Sequence, residues 1–139
     1  MPARDRFHEV VKTALIKEGW TITDDPLKLE YGKRKMYVDL AAEKLFSAEK
    51  EGHKIAVEVK SFLSLSELTD LEEAFGQYAI YQTLLKRQQP DRHLYLAIPQ
   101  EKYFDLFDEK EIGNLILEDY NLRIIVFEIE SEEIVKWIN

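Results

Sequence analysis

Cysteine is absent from the 139-residue chain, which excludes disulfides, thiolate metal sites and a cysteine nucleophile. Histidine is scarce: His8, His53 and His93 lie far apart, without the paired spacing of zinc sites, and all three read as structural or exposed. No Gly-rich phosphate loop, nucleophile elbow or Ser/His/Asp order is present. Long apolar runs are also missing. The opening Met1-Pro2-Ala3-Arg4-Asp5 lacks a signal-peptide core and no later stretch reaches membrane-spanning length, so a cytoplasmic protein without membrane association is expected. Basic residues are in deficit, 19 Lys and Arg against 27 Asp and Glu, for a formal charge of −8. That balance argues against tight autonomous binding to nucleic acid, because phosphate neutralisation dominates such affinity. Arg34-Lys35 and Lys86-Arg87 are adjacent basic pairs, and neither makes a convincing footprint. A partner could still deliver an acidic protein to DNA.

What is present is the composition of a globular protein, 45% hydrophobic and 33% charged, long enough for residues 1–139 to form one domain with its own core. One stretch suggests chemistry. In Lys54-Ile-Ala-Val-Glu-Val-Lys60, strand alternation points Ile55, Val57 and Val59 one way and Ala56, Glu58 and Lys60 the other. Asp39, in Tyr37-Val-Asp39-Leu, lies 19 residues before Glu58, a separation that a hairpin can close. Two carboxylates would then converge beside an ammonium group. Mg²⁺ or Mn²⁺ suits such a pair, since a hard cation needs few protein oxygens, and Asp39 and Glu58 are the expected metal ligands. Lys60 would orient or help deprotonate an attacking water, or stabilise charge on a phosphate. The same Glu-x-Lys on a solvated strand face is an ordinary exposed ion pair, so the local pattern leaves both readings open.

The order of elements narrows the choice. Phe7, Val10, Val11, Ala14 and Leu15 recur at helical spacing, predicting a helix from about Asp5 to Lys17 that ends at Gly19. A short strand follows at Trp20 to Thr23, Asp24-Asp25-Pro26 reads as a turn, and Gly32 to Lys35 reads as a loop or hairpin tip. From Lys35 to Glu49 the chain is expected to be extended, bent around Ala41-Ala42, and Glu51-Gly52 turns it back into a strand from His53 to Phe62. Ser64 to Glu67 fits a capping box opening a long helix over about Leu65 to Gln88. Strands are expected at His93 to Ile98, in a parallel pairing by the rule for helix-connected strands, and at Arg123 to Ile129, with a helix from Tyr103 to Leu117 interrupted near Gly113. The tail from Glu132 to Asn139 packs back as a strand or turn. The sum is an α/β fold, a mixed sheet flanked by helices in the order α-β-β-β-α-β-α-β.

That order, with Asp39 on the second strand and Glu58 and Lys60 on the third, resembles the restriction-endonuclease-like PD-(D/E)xK superfamily. Gln77-Tyr-Ala-Ile-Tyr81 on the next helix is similar to the Gln-x-x-x-Tyr motif of its RecB-like branch, which implies a catalytic or positioning role for Gln77. Val38 stands where the superfamily often has proline. Relatives also carry a metal-binding acid in the first helix, for which Glu9 and Glu18 are the options, and Glu43 would share the face of Asp39 if the strand stays regular.

Over nearly its full length the chain resembles the XisH family of cyanobacterial fdxN element excision controlling factors. The residues that carry this are the opening Met-Pro-Ala-Arg-Asp-x-Phe-His, Gly19 to Thr23, Tyr-Val-Asp39-Leu, Ile-Ala-Val-Glu58-Val-Lys60-Ser-Phe, Gly-Gln77-Tyr and Val-x-Trp137-Ile-Asn139. The resemblance implies a XisI-like partner and a role in programmed DNA excision by a separate site-specific recombinase during heterocyst development. Two functional readings follow: a Mg²⁺-dependent endonuclease, or a catalytically inactive regulator acting through its partner and the recombinase. A homo-oligomer is a further expectation, and a plain interaction domain is the blandest alternative.

Overall fold

The computed structural model describes residues 4–44 and 52–139. The elements are α1 (His8–Lys17), β1 (Thr21–Asp24), β2 (Leu27–Tyr31), β3 (Arg34–Val38), β4 (Leu40–Lys44), β5 (His53–Val59), α2 (Glu67–Gln88), β6 (Arg92–Pro99), α3 (Gln100–Leu106), α4 (Ile112–Tyr120), β7 (Ile124–Glu128) and β8 (Glu133–Ile138). A six-stranded mixed sheet runs in the order β1-β4-β5-β6-β7-β8, and β2 and β3 form a separate ribbon. β5, β6 and β7 are parallel neighbours, whereas β1/β4, β4/β5 and β7/β8 are antiparallel.

Alternation on β5 divides the core. Ile55, Val57 and Val59 pack with Val11 and Leu15 of α1 on one face of the sheet. Ala56 faces the other way, toward Leu71, Ala74, Tyr78, Tyr81 and Leu85 of α2. Burying each large aliphatic side chain contributes about 1.5–3 kcal/mol, so both helices are held by apolar stripes rather than by propensity. Gly19, at φ +92°, ends α1 as expected, a conformation a side chain would strain. Among the described residues no helix is long and apolar enough to cross a membrane.

Four details differ from the sequence expectation. The extended run beginning at Lys35 is two strands, because Val38 pairs with Leu27 in the ribbon while Leu40 pairs with Val57 in the main sheet. The step between sheets falls at Asp39, and the irregularity expected at Ala41-Ala42 belongs to the facing strand β1, between Ile22 and Asp24. The stretch to Glu49 and the turn at Glu51 lie outside the described residues. The long helix is capped by Ser66, whose hydroxyl accepts the Thr69 N–H at 3.2 Å, while Ser64 instead donates its N–H to Asp70. Finally, the stretch after Tyr103 is two helices. Gly113 lies inside the second, where a Cβ would stand 2.3 Å from the Leu106 carbonyl oxygen. The order is therefore α-β-β-β-β-β-α-β-α-α-β-β, not the shorter one expected.

Candidate active site

The change of sheet at Asp39 releases its side chain beside β5. Since Leu40 pairs with Val57, Asp39 comes level with Glu58. The Asp39 N–H donates to Glu58 Oε1 at 3.2 Å, and Asp39 Oδ2 accepts the Val59 N–H at 2.7 Å. Lys60 anchors its backbone by donating to the Ala97 carbonyl at 3.0 Å. Its Nζ stands 3.8 Å from Glu58 Oε2. Gln77 and Tyr81, one helical turn apart on α2, line the same cleft, which has a volume of about 370 Å³. Asp39, Glu58, Lys60, Gln77 and Tyr81 are thus brought together at one opening.

Two acids this close in a poorly hydrated site resist ionising together. Burial, then the neighbouring Asp39 charge, pushes Glu58 up to about 8, with Lys60 opposing. Asp39 is also raised, chiefly by burial, against the lowering effect of the Val59 N–H and of Glu58. Tyr81 is pushed up to about 12 by burial and by the two carboxyls. A phenol in that state stays protonated and can donate a hydrogen bond. Gln77 Oε1 is buried without a hydrogen-bond partner among the described residues, an acceptor available to a ligand or to Lys60.

Asp5 is a site residue that sequence reasoning missed. It lines the cleft, and its Oδ2 accepts the Ser61 N–H at 3.0 Å, tying the segment before α1 to the end of β5. Its signal was its place in Arg4-Asp5, just ahead of the helix in which an acid was sought. The acids considered instead lie elsewhere. Glu18 accepts the Trp137 indole N–H at 3.1 Å, and Glu9 pairs with Arg4 at 2.7 Å. Glu43 pairs with Arg92 at 3.7 Å, four residues and about 13 Å along the strand direction from Asp39.

His8 is buried, and its Nε2 lies 2.7 Å from Asp25 Oδ1. His8, Glu9 and Asp25 converge closely enough for a metal ion. Cations already serve these acids, however, with Lys12 at 2.8 Å and Arg4 at 3.4 Å from Asp25. Burial pushes Asp25 up, yet the hydrogen bonds from Lys12 and His8 outweigh it and hold the carboxyl below its ordinary value. The cluster is an ion-pair network joining α1 to the end of β1. His53 and His93 are exposed at the opposite end of β5 and β6.

A family model described as XisH protein matches residues 1–135. A crystal structure of an XisH family protein from Nostoc punctiforme is 40% identical, with a TM-score of 0.85, over 97% of this chain and 100% of that one. A crystal structure of an fdxN element excision controlling factor protein from Anabaena variabilis is 42% identical, with a TM-score of 0.83, over 98% of this chain and 100% of the other. Comparison with curated proteins finds no match.

Proposed function

The chain belongs to the XisH family, and from that premise we propose that it is an excision controlling factor for a programmed DNA element, equipped with a metal-dependent endodeoxyribonuclease site. The observation that carries the nuclease reading is the meeting of Asp39, Glu58 and Lys60 at one cleft. The restriction-endonuclease-like PD-(D/E)xK reading is supported by α1, the antiparallel β1-β4-β5 strands, α2 and the parallel β6, with Asp39 entering the middle strand.

The residues fit a hard divalent cation. Asp39 and Glu58 supply carboxylate oxygens; burial raises the pKa of both, and the Asp39 charge adds to it at Glu58, a cost of ionisation that a cation would offset. Bound there, Mg²⁺ or Mn²⁺ would polarise the scissile phosphate and acidify the attacking water. Lys60 orients that water and stabilises the charge growing on the phosphate. Gln77, with its free buried acceptor, positions Lys60 or the substrate. Tyr81 closes the wall beside the carboxyls as a neutral donor.

A second reading, a catalytically inactive regulator acting through a XisI-like partner and the recombinase in the cytoplasm, is favoured by the net charge of −8. Nicking of supercoiled plasmid with Mg²⁺ or Mn²⁺ separates the two. The nuclease reading expects cleavage by the wild type, with or without its partner, that is lost in Asp39→Ala. Absence of cleavage even with the partner present leaves the regulatory reading.

A further inference from the structure

The charge of this chain is segregated in space. Between residues 101 and 133 stand eleven acidic residues and three basic ones, a balance that equals the whole formal −8. These residues run from α3 to the start of β8, and β7 and β8 form the sheet edge beyond β6. The ribbon on the cleft side has the opposite character. Residues 27–38 contain Lys28, Lys33, Arg34 and Lys35 against the single acid Glu30, a balance of +3. The adjacent basic residues that looked too few for a footprint are a run of three at the turn of a hairpin.

The ribbon is a rigid presenter. Leu27, Leu29 and Val38 are buried in the α2 core, and the Gln88 side-chain amide donates to the Glu30 carbonyl at 2.8 Å. Tyr31 pairs with Arg34, leaving Gly32 and Lys33 as a two-residue turn for which Gly32, at φ +58°, supplies the left-handed corner. Lys28 is paired with Glu30 at 2.6 Å. Among the described residues, Lys33, Arg34 and Lys35 are exposed with no carboxylate within ion-pair distance, and Lys35 faces Glu30 across the ribbon, where, after Lys28, its charge helps to hold that carboxyl below its ordinary value. Lys35 and Tyr37 also line the cleft that holds Asp39 and Glu58.

We infer that the β2–β3 hairpin is a DNA-backbone contact arm, in which Lys33 and Lys35 bind phosphates of a duplex whose scissile group lies at Asp39 and Glu58. This deepens the nuclease reading and rests on it. Lys35 lines the same cleft as Asp39 and Glu58, so a phosphate that it holds lies close to the scissile group, while Lys33 at the turn reaches a phosphate farther along the duplex. The acidic edge beyond β6 repels DNA and confines it to the hairpin side of the cleft.

The test is fluorescence anisotropy of a fluorescein-labelled DNA duplex with the full chain, with Ca²⁺ as the divalent ion, over a series of KCl concentrations. Lys33→Glu/Lys35→Glu should weaken binding at least about tenfold and reduce the slope of log affinity against log salt by about 1.8, from two lost phosphate contacts. Lys33→Gln/Lys35→Gln should show an intermediate loss of affinity. Lys110→Glu/Lys136→Glu changes the net charge equally on other elements and should stay within about twofold of wild type. Melting temperatures of all variants establish that they fold. Wild-type affinity in the hairpin variants, or equal loss in both Glu pairs, overturns the arm while leaving the nuclease reading to its nicking assay. Hairpin-dependent binding without any nicking sinks cleavage and with it the scissile group at Asp39 and Glu58, and leaves the hairpin as a phosphate contact alone. A wild type that does not bind duplex overturns the arm, and metal-dependent nicking then decides the catalytic reading separately.

Discussion

Asp39 and Glu58 are locked to each other through the backbone: the Asp39 N–H donates to Glu58 Oε1 while Asp39 Oδ2 accepts the N–H of Val59, the residue after Glu58. Neither carboxyl can turn away without leaving a buried group unsatisfied. The fold therefore holds two acids in proximity that they would not choose when both are ionised.

Stability should fall as pH rises. Glu58 stands at about 8 in the folded protein against 4.5 for an unperturbed glutamate. The folded state thus binds this proton more tightly than the unfolded chain. Its contribution is fully present below about pH 4.5, declines by at most about 1.4 kcal/mol per pH unit, and is gone above about pH 8. The raised pKa of Asp39 acts in the same direction. Denaturant melts of wild type and Glu58→Gln from pH 5 to 8.5 check this, with the variant expected to gain relative stability toward the alkaline end. A difference between them that does not change with pH would count against the buried acid pair.

Divalent cation binding should be strongest at alkaline pH, because the ion must displace the proton held by Glu58. Mn²⁺ should raise the melting temperature of the wild type more at pH 8 than at pH 6. At a free concentration about 100 times Kd the stabilisation should be about 2.7 kcal/mol. Asp39→Asn should abolish most of this response. A shift of equal size in wild type and variant would place the binding elsewhere.

Replacing Lys60 by Ala should lower metal-dependent nicking by about 10²-fold or more while leaving the fold intact. The Lys60 backbone donates to the Ala97 carbonyl, and that anchor survives the substitution. Because the Lys60 charge lowers the Glu58 pKa, its removal should move the pH dependence of the Glu58 contribution upward. Paired rate and pH-stability measurements would register both effects.

Gly113→Ala should destabilise the protein by about 1–3 kcal/mol, since its Cβ would meet the Leu106 carbonyl oxygen and carbon, backbone atoms that cannot rotate aside. Chemical denaturation gives the value. The site around Asp39 lies on other elements, so nicking measured well below the melting temperature should be unchanged.

The legible features were those set by local periodicity. The stripe of Val11 and Leu15 and the alternation of Ile55, Val57 and Val59 each correspond to an observed buried face. Asp39, Glu58 and Lys60 could be named because alternation and chain order placed them near one strand end, whereas Gln77 was named through the resemblance of its helix to the Gln-x-x-x-Tyr motif. The Trp137 tail was ambiguous, and the structure packs it half-buried against the α1-side core, its ring 5.7 Å from Trp20 and 5.1 Å from Tyr95. The tip of the β2–β3 ribbon at Gly32 to Lys35 was legible as a loop or hairpin tip, but strand β2 was not, because it is short and its polar positions Lys28 and Glu30 resemble a solvated loop. Ser66 displaced Ser64 as the cap because the bond from Ser64 N–H to Asp70 closes the preceding loop, which no short motif reveals.

By itself the sequence determined which side chains share a face and which chemistry they carry, since period and residue type are local properties of a chain with fixed backbone geometry. Only the tertiary structure decided that the chain changes sheet at Asp39, that Asp5 joins the cleft across 56 residues to Ser61, and that basic and acidic surfaces part on either side of β6. Such arrangements arise from contacts between segments remote in sequence, whose partners are chosen by the packing of the whole core.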